Sequence, residues 1–168
     1  MSDEKISPAG RVCMFTGHRS ISAKDMAVLS ERIDATLERL IGEGFTDFCV
    51  GGAVGFDTLV ELKLIEKKKK YGYLRLNLYL PCHSQERSWS ESLKQAYSYV
   101  IENADSVRYA SEQYTRWCMQ SRNRKMVDAA ELCVAYCRRT SGGTYHTVEY
   151  AKKKGLEILN LYTPADKK

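Results

Sequence analysis

No stretch of this 168-residue sequence stays apolar for anything near the ~20 residues that cross a membrane as a helix. None of its six cysteines (Cys13, Cys49, Cys82, Cys118, Cys133, Cys137) stands in a Cys-x-x-Cys pair, so the ligand spacing of a structural zinc site is missing. Cys133 and Cys137 flank three residues across an expected strand, and a disulfide framework is not expected in a chain of this size. No internal repeat, low-complexity block or long linker divides the chain. A strong charge excess is also missing. The net +5 does not demand DNA or RNA, although it favours anionic small molecules. The opening MSDEKISPAG has the pattern of neither a secretory signal nor a transit peptide, and the expected location is the cytosol.

What is present suits one soluble α/β domain. Hydrophobic residues make up 43% and charged residues 28%, enough apolar content for a core at this length. Met1–Gly10 is expected to be disordered and residues 11–168 to form a single domain. The lysine runs Lys67–Lys70, Lys152–Lys154 and Lys167–Lys168 read first as solvated helix ends, where cations complement the helix dipole.

Strand and helix patterns alternate. Strands are expected at Arg11–Thr16, Thr46–Val50, Tyr73–Leu80, Asp105–Tyr109, Glu131–Tyr136 and Glu157–Tyr162. Pro81 is expected to end the third of these. Helices are expected at Ala23–Gly42, Phe56–Lys70, Glu86–Asn103, Tyr114–Ala130 and Gly143–Lys154. In the first, Met26, Leu29, Ile33, Leu37 and Leu40 share one face, with Ser22 as N-cap. Such alternation implies a Rossmann-like three-layer α/β fold, a mostly parallel sheet of about six strands with helices on both faces. Ligands in this class sit beyond the carboxyl ends of the strands, at the topological switch point.

Three strand-to-helix turns leave from that edge. The most informative is CRRTSGGTYHTV at Cys137–Val148. Gly142 and Gly143 let bare backbone approach a ligand, and the helix start supplies unpaired N–H groups and partial positive charge. Ser141 and Thr144 add hydroxyls. After the first strand, Gly17 permits a close turn, His18 could hydrogen-bond a ligand, and Arg19 offers a planar fork of donors. After the second strand, GGAVGFD places glycines at Gly51, Gly52 and Gly55, which is not the G-x-G-x-x-G dinucleotide fingerprint. Asp57 has two readings there: a partner for the helix dipole, or an acceptor for a ribose hydroxyl. On the helix before the fifth strand, Arg122 and Lys125 share a face beside Asn123, either as phosphate partners or as a solvated basic face. His83 has no evident partner in the sequence.

Together TGHR, GGAVGFD, RNRKMVD and SGGT, in that order from about Val12 to Tyr162, resemble the YpsA-like branch of the SLOG superfamily. The resemblance implies a Rossmann-like fold that binds nucleotides or nucleotide-derived ligands. The wider superfamily includes the LOG phosphoribohydrolases and the DprA proteins that bind single-stranded DNA. Against the LOG loop P-G-G-x-G-T-x-x-E, Ser141–Glu149 keeps the first glycine pair and Glu149. Ser141 replaces the proline, Tyr145 the third glycine and His146 the threonine. Arg122 falls at the LOG arginine position.

The leading expectation is therefore a nucleotide-ligand sensor, with Gly17, His18, Arg19, Gly51, Gly52, Gly55, Asp57, Arg122, Asn123, Lys125, Ser141, Gly142, Gly143 and Thr144 at its site. A homo-oligomer or a protein partner would read the bound state. No metal or other cofactor is called for. An alternative is a LOG-like N-glycosidase in which Arg122 orients substrate and Glu149 supplies the carboxylate. A further alternative is DprA-like binding of single-stranded nucleic acid through the lysine runs. This is less favoured.

Overall fold

A computed structural model describes residues 10–163. The expected disorder of the N-terminal tail therefore lies, Gly10 aside, outside the described residues. The elements run β1 (Arg11–Gly17), α1 (Ala23–Gly42), β2 (Phe45–Val50), α2 (Phe56–Lys70), β3 (Arg75–Cys82), α3 (Glu91–Asn103), β4 (Ser106–Ser111), α4 (Cys118–Ala129), β5 (Leu132–Tyr136), α5 (Gly143–Lys153) and β6 (Glu157–Asn160). The six strands form one sheet in the order β4-β3-β2-β1-β5-β6. Every pairing in it is parallel. None of the described helices is long and apolar enough to cross a membrane.

The period of two along the strands sorts their side chains into two cores. Cys13, Phe15, Phe48, Val50, Leu78, Leu80, Val134 and Tyr136 pack with the apolar faces of α1, α2 and α3. Met14, Cys49, Tyr79, Cys133 and Ala135 pack with Met126 and Val127 of α4 and Val148 and Ala151 of α5. Three helices thus cover the first face and two the second. Each of the large fully buried side chains, such as Phe15 and Phe48, contributes roughly 1.5–3 kcal/mol. All six cysteines are free thiols, and those in the strands serve as small apolar residues.

Local signals set the helix starts where caps are available. Ser22 accepts a hydrogen bond from the Asp25 N–H at 3.1 Å and starts α1. Ser90 does the same for α3 through the Leu93 N–H, at 3.4 Å. That cap moves the start of α3 to Glu91, past the expected Glu86, because residues 83–89 form turns instead. Likewise α4 begins at Cys118 and not at Tyr114. Pro81 does not end β3. It lies beyond the last β2 partner pair, Val50↔Leu78, so its missing N–H costs no bond to β2, while Cys82 still pairs with Ser111 of β4.

Candidate functional site

The strand after β1 in the chain lies on one side of it and β5 lies on the other, so the switch point of the sheet falls between β1 and β5. The turns after β1, β2 and β5 all leave from that carboxyl edge, and His18 joins them. Its backbone carbonyl accepts from the Phe56 N–H at 3.2 Å, which ties in the β2–α2 turn. Its Nε2 accepts from the Arg138 N–H at 3.0 Å, which ties in the β5–α5 turn. Burial, and then the charges of Arg138 and Arg139, push the imidazole pKa down, so the ring stays neutral and Nε2 keeps the lone pair it uses.

The β2–α2 turn is filled by the protein itself. A Cβ on Gly51 would fall against the Arg122 guanidinium, and one on Gly52 (φ +70°) would fall on the Leu80 side chain. One on Gly55 (φ +81°) would fall on the carbonyls of Arg19 and His18. Gly17 is similarly closed off by the Phe56 ring.

Behind this turn sits a buried charge cluster. Arg122 is only 5% exposed, Asp57 6% and Glu61 2%. The Arg122 Nη1 donates to the carbonyl of Gly51 and to that of Tyr79, and its Nε donates to Asn123 Oδ1 at 2.7 Å. Glu61 Oε1 accepts from the Gly52 N–H at 3.0 Å, and Asp57 Oδ2 accepts from the Ala53 N–H at 3.2 Å. Asp57 Oδ1 is buried without a hydrogen-bond partner among the described residues. Burial raises the Asp57 pKa to about 6, against the opposing pull of the Arg122 charge. Burial, with the neighbouring Asp57 charge, raises that of Glu61 well above the usual carboxylate range.

These raised values carry a testable sign. A carboxyl whose folded pKa exceeds its unfolded pKa binds more protons when folded, so its contribution to stability is lost as pH rises between the two. In the Asp57→Asn variant that loss is gone. Its unfolding free energy is expected to gain on the parent as pH rises from about 4 to about 6, and the gap is expected to level off above. Denaturant titrations at a series of pH values would show it, and a gap that narrows across that window would refute it.

The β5–α5 turn has the opposite character. Ser141, Gly142 and Gly143 are exposed and Thr144 is half-buried. A Cβ added to Gly142 (φ +93°) or Gly143 would meet nothing within 4 Å. Gly142 is the N-cap of α5 and no side chain caps this helix. The Thr147 hydroxyl turns away, donating to the Gly143 carbonyl at 2.9 Å. Arg138 and Arg139 are exposed, with no carboxylate partner among the described residues.

The expected site residues thus separate by environment. Gly17, His18, Gly51, Gly52, Gly55, Asp57 and Arg122 brace the turns against one another, with Asn123 holding the Arg122 Nε. Arg19, Ser141, Gly142, Gly143 and Thr144 stand at the surface or half-buried. Arg19 touches the Met119 sulfur at 3.5 Å, and its charge acts on both Asp57 and Arg122. Lys125 lines a cleft of about 420 Å³ between α4 and the β3–β4 strands together with Arg122, and none of the glycine turns lines it. Glu149 makes a surface ion pair with Lys152 at 3.1 Å.

Four contributors were given no site role in the sequence reading. Glu61 follows Asp57 by one helical turn, a spacing that marks a shared face and could have been noticed. Gln85 donates to the Gly52 carbonyl at 3.4 Å and the Tyr97 hydroxyl at 3.1 Å, which nothing local announces. The sulfur of Met119, on the first turn of α4, contacts both Arg19 and Arg122. Arg138 contributes its backbone N–H to His18.

Comparison with known proteins gives a consistent picture. The YpsA family model, described as the YspA SLOG family, matches residues 13–160. The uncharacterized SPbeta prophage-derived protein YoqJ of Bacillus subtilis strain 168 is 28% identical over 144 residues, covering 78% of this chain and 84% of that protein. A UPF0398 protein of Bacillus cereus strain B4264 is 24% identical over 143 residues, covering 80% of this chain and 74% of its own length. Among solved structures, DNA processing protein A (DprA) of Streptococcus pneumoniae superposes with a TM-score of 0.63 at 15% identity, over 88% of this chain. This chain spans about half of that protein (49%). DprA of Helicobacter pylori, described with its single-stranded DNA binding mode, gives a TM-score of 0.64 at 14% identity, over 92% of this chain and 67% of its own. At those identities the likeness is one of fold.

Proposed function

We propose that this chain, which belongs to the YpsA family of SLOG proteins, binds a phosphate-bearing nucleotide or nucleotide-derived ligand at the rim between β1 and β5. In this reading it acts as a sensor, its occupancy read by a partner protein or a second copy. The observation that carries the reading is the contrast between two glycine turns. Every glycine of the β2–α2 turn is closed in by protein atoms, whereas Gly142 and Gly143 face open space at an uncapped helix start. Nothing inside the protein requires Gly143 to lack a side chain. A close-approaching anion does.

The phosphate would accept from the N–H groups of the first turn of α5 and from the unpaired Arg138 and Arg139. Arg122 would hold the Gly51 carbonyl and balance Asp57 instead of meeting the phosphate itself, because its Nη1 and Nε donors are already engaged. The N-glycosidase alternative would need Glu149, and Lys152 engages that carboxylate at the surface. Binding of nucleic acid through the lysine runs gains nothing specific either. Lys67 pairs with Asp34 and Glu38, Lys68 with Asp105, and Lys69 with Glu66.

Calorimetric titration with AMP and ADP tests the proposal. The parent protein is expected to bind at least one of them. Gly143→Val and Arg139→Glu are each expected to weaken binding about ten-fold or more, with melting temperatures close to the parent. Absence of binding, or equal binding by Gly143→Val, would overturn the site. Free base released above the level of a Glu149→Ala control would establish the enzyme reading instead.

A further inference from the structure

Two helices, α4 and α5, cover the second face of a six-stranded sheet, and the edge strand β4 is only partly roofed on that side. The cleft of about 420 Å³ opens there, where α4 leans over β3 and β4. Its size is that of a site for a small organic ligand. Side chains alternate along a strand, so Arg108 and Ala110 share this face with Tyr79, the β3 partner of Arg108. Tyr109 turns with its own partner, Leu80, to the opposite face. The facing wall is one row of α4, in which Arg122, Lys125 and Ala129 follow at steps of three and four. Small residues make the room, because Ala110 and Ala129 stand where larger side chains would fill it. Arg122 and Tyr79, 5% and 6% exposed, form a buried floor.

The walls carry two cations that the protein does not use up. Arg108 is held in place, its Nη1 donating to the Tyr79 hydroxyl at 3.0 Å and its Cζ 5.3 Å from that ring's centroid. Its Nε and Nη2 have no partner among the described residues. Lys125 makes no hydrogen bond or ion pair among them. The lining has a single acid, Asp128, and one of its oxygens already accepts from the Tyr150 hydroxyl at 3.0 Å.

We propose that this cleft is a second ligand site, which takes a small dicarboxylate. One carboxylate meets the free side of the Arg108 fork, whose planar donors match it in a bidentate way. The other meets the Lys125 ammonium across the cleft. Two separate cations on opposite walls select two separate charges on one compact molecule. A phosphate fits less well. No glycine turn or helix start lines the cleft, so the converging backbone N–H groups that wrap a tetrahedral anion are missing from it. Asp128 opposes any ligand with more negative charge than the two cations offset. The cleft is distinct from the glycine-pair rim and does not depend on what that rim binds.

Titration of the intact, ¹⁵N-labelled chain with succinate, followed by amide chemical shifts, tests this. Saturable shifts are expected at Ala110, Lys125 and Ala129. Arg108→Gln and Lys125→Gln are each expected to weaken binding about ten-fold. Lys125 is the cleaner probe, because its side chain bonds to nothing that folding requires. Ala129→Leu is expected to fill the cleft and abolish the shifts with the melting temperature near that of the parent. Lys69→Gln should leave succinate binding unchanged. Acetate, with one charge, is expected to bind at least ten-fold more weakly, and AMP is expected not to displace succinate. Absence of saturable shifts would overturn the proposal, as would unchanged binding by Lys125→Gln. Equal or tighter binding of acetate or inorganic phosphate would overturn the dicarboxylate assignment, and displacement by AMP would overturn the separation from the rim.

Discussion

Replacing Arg122 with leucine is expected to lower the unfolding free energy by about 3–5 kcal/mol, the usual cost of removing one partner from a buried charge network. The side chain is 5% exposed and its Nη1 serves two carbonyls, that of Gly51 just past the end of β2 and that of Tyr79 within β3. Leucine fills the volume but leaves both carbonyls short of a donor. It also leaves Asp57 and Glu61 facing each other without the cation that offsets them. For a domain of this size the loss corresponds to a fall in melting temperature of roughly 6–20 °C. Lysine at the same position should recover little, because one ammonium cannot reproduce the planar fork. The informative control is the double variant Arg122→Leu, Asp57→Asn. Removing the stranded carboxylate should recover part of the loss, which an ordinary packing defect at residue 122 would not allow. Calorimetric melting of the four proteins measures this. An Arg122→Leu variant within about 1 kcal/mol of the parent would show that the network braces nothing.

The second large effect concerns Gly55 and is sharpest beside Gly143. Gly55→Ala is expected to cost about 1–3 kcal/mol from backbone strain alone, since φ is +81°. The new Cβ would also press on the backbone of Arg19 and His18, and backbone cannot swing aside as a side-chain end can. The Phe56 N–H bond to the His18 carbonyl would be disturbed with it, so the β1 and β2 turns should loosen together. Gly143→Ala is expected to do the reverse. Its site is open and its φ is not positive, so stability should hold or rise by about 0.4–1 kcal/mol as the unfolded chain loses freedom. Denaturant unfolding of the two variants gives the comparison. Equal destabilisation by both would remove the distinction between the filled turn and the open one.

The order of strands and helices, the parallel sheet, the carboxyl edge and the three turns at it could all be read from the chain. Those features follow from periods of two and 3.6 residues and from glycine at strand ends, which are local properties. The family relationship was legible for a similar reason, because TGHR, GGAVGFD, RNRKMVD and SGGT are short continuous motifs. Boundaries failed where a distant partner decided them. Pro81 sits inside β3 only because β2 has already ended beside it. The glycines themselves looked alike in sequence. Whether each faced protein or open space depended on residues far along the chain: Arg122 against Gly51, Leu80 against Gly52, and the Arg19 backbone against Gly55. Arg122 looked like a ligand-facing cation and is instead buried on the Gly51 and Tyr79 carbonyls. Periodicity gives a residue its face on one element. Which atoms meet it there is settled only when the elements pack, because a hydrogen bond or a buried charge is stabilised by the partner across the gap and not by neighbours in sequence.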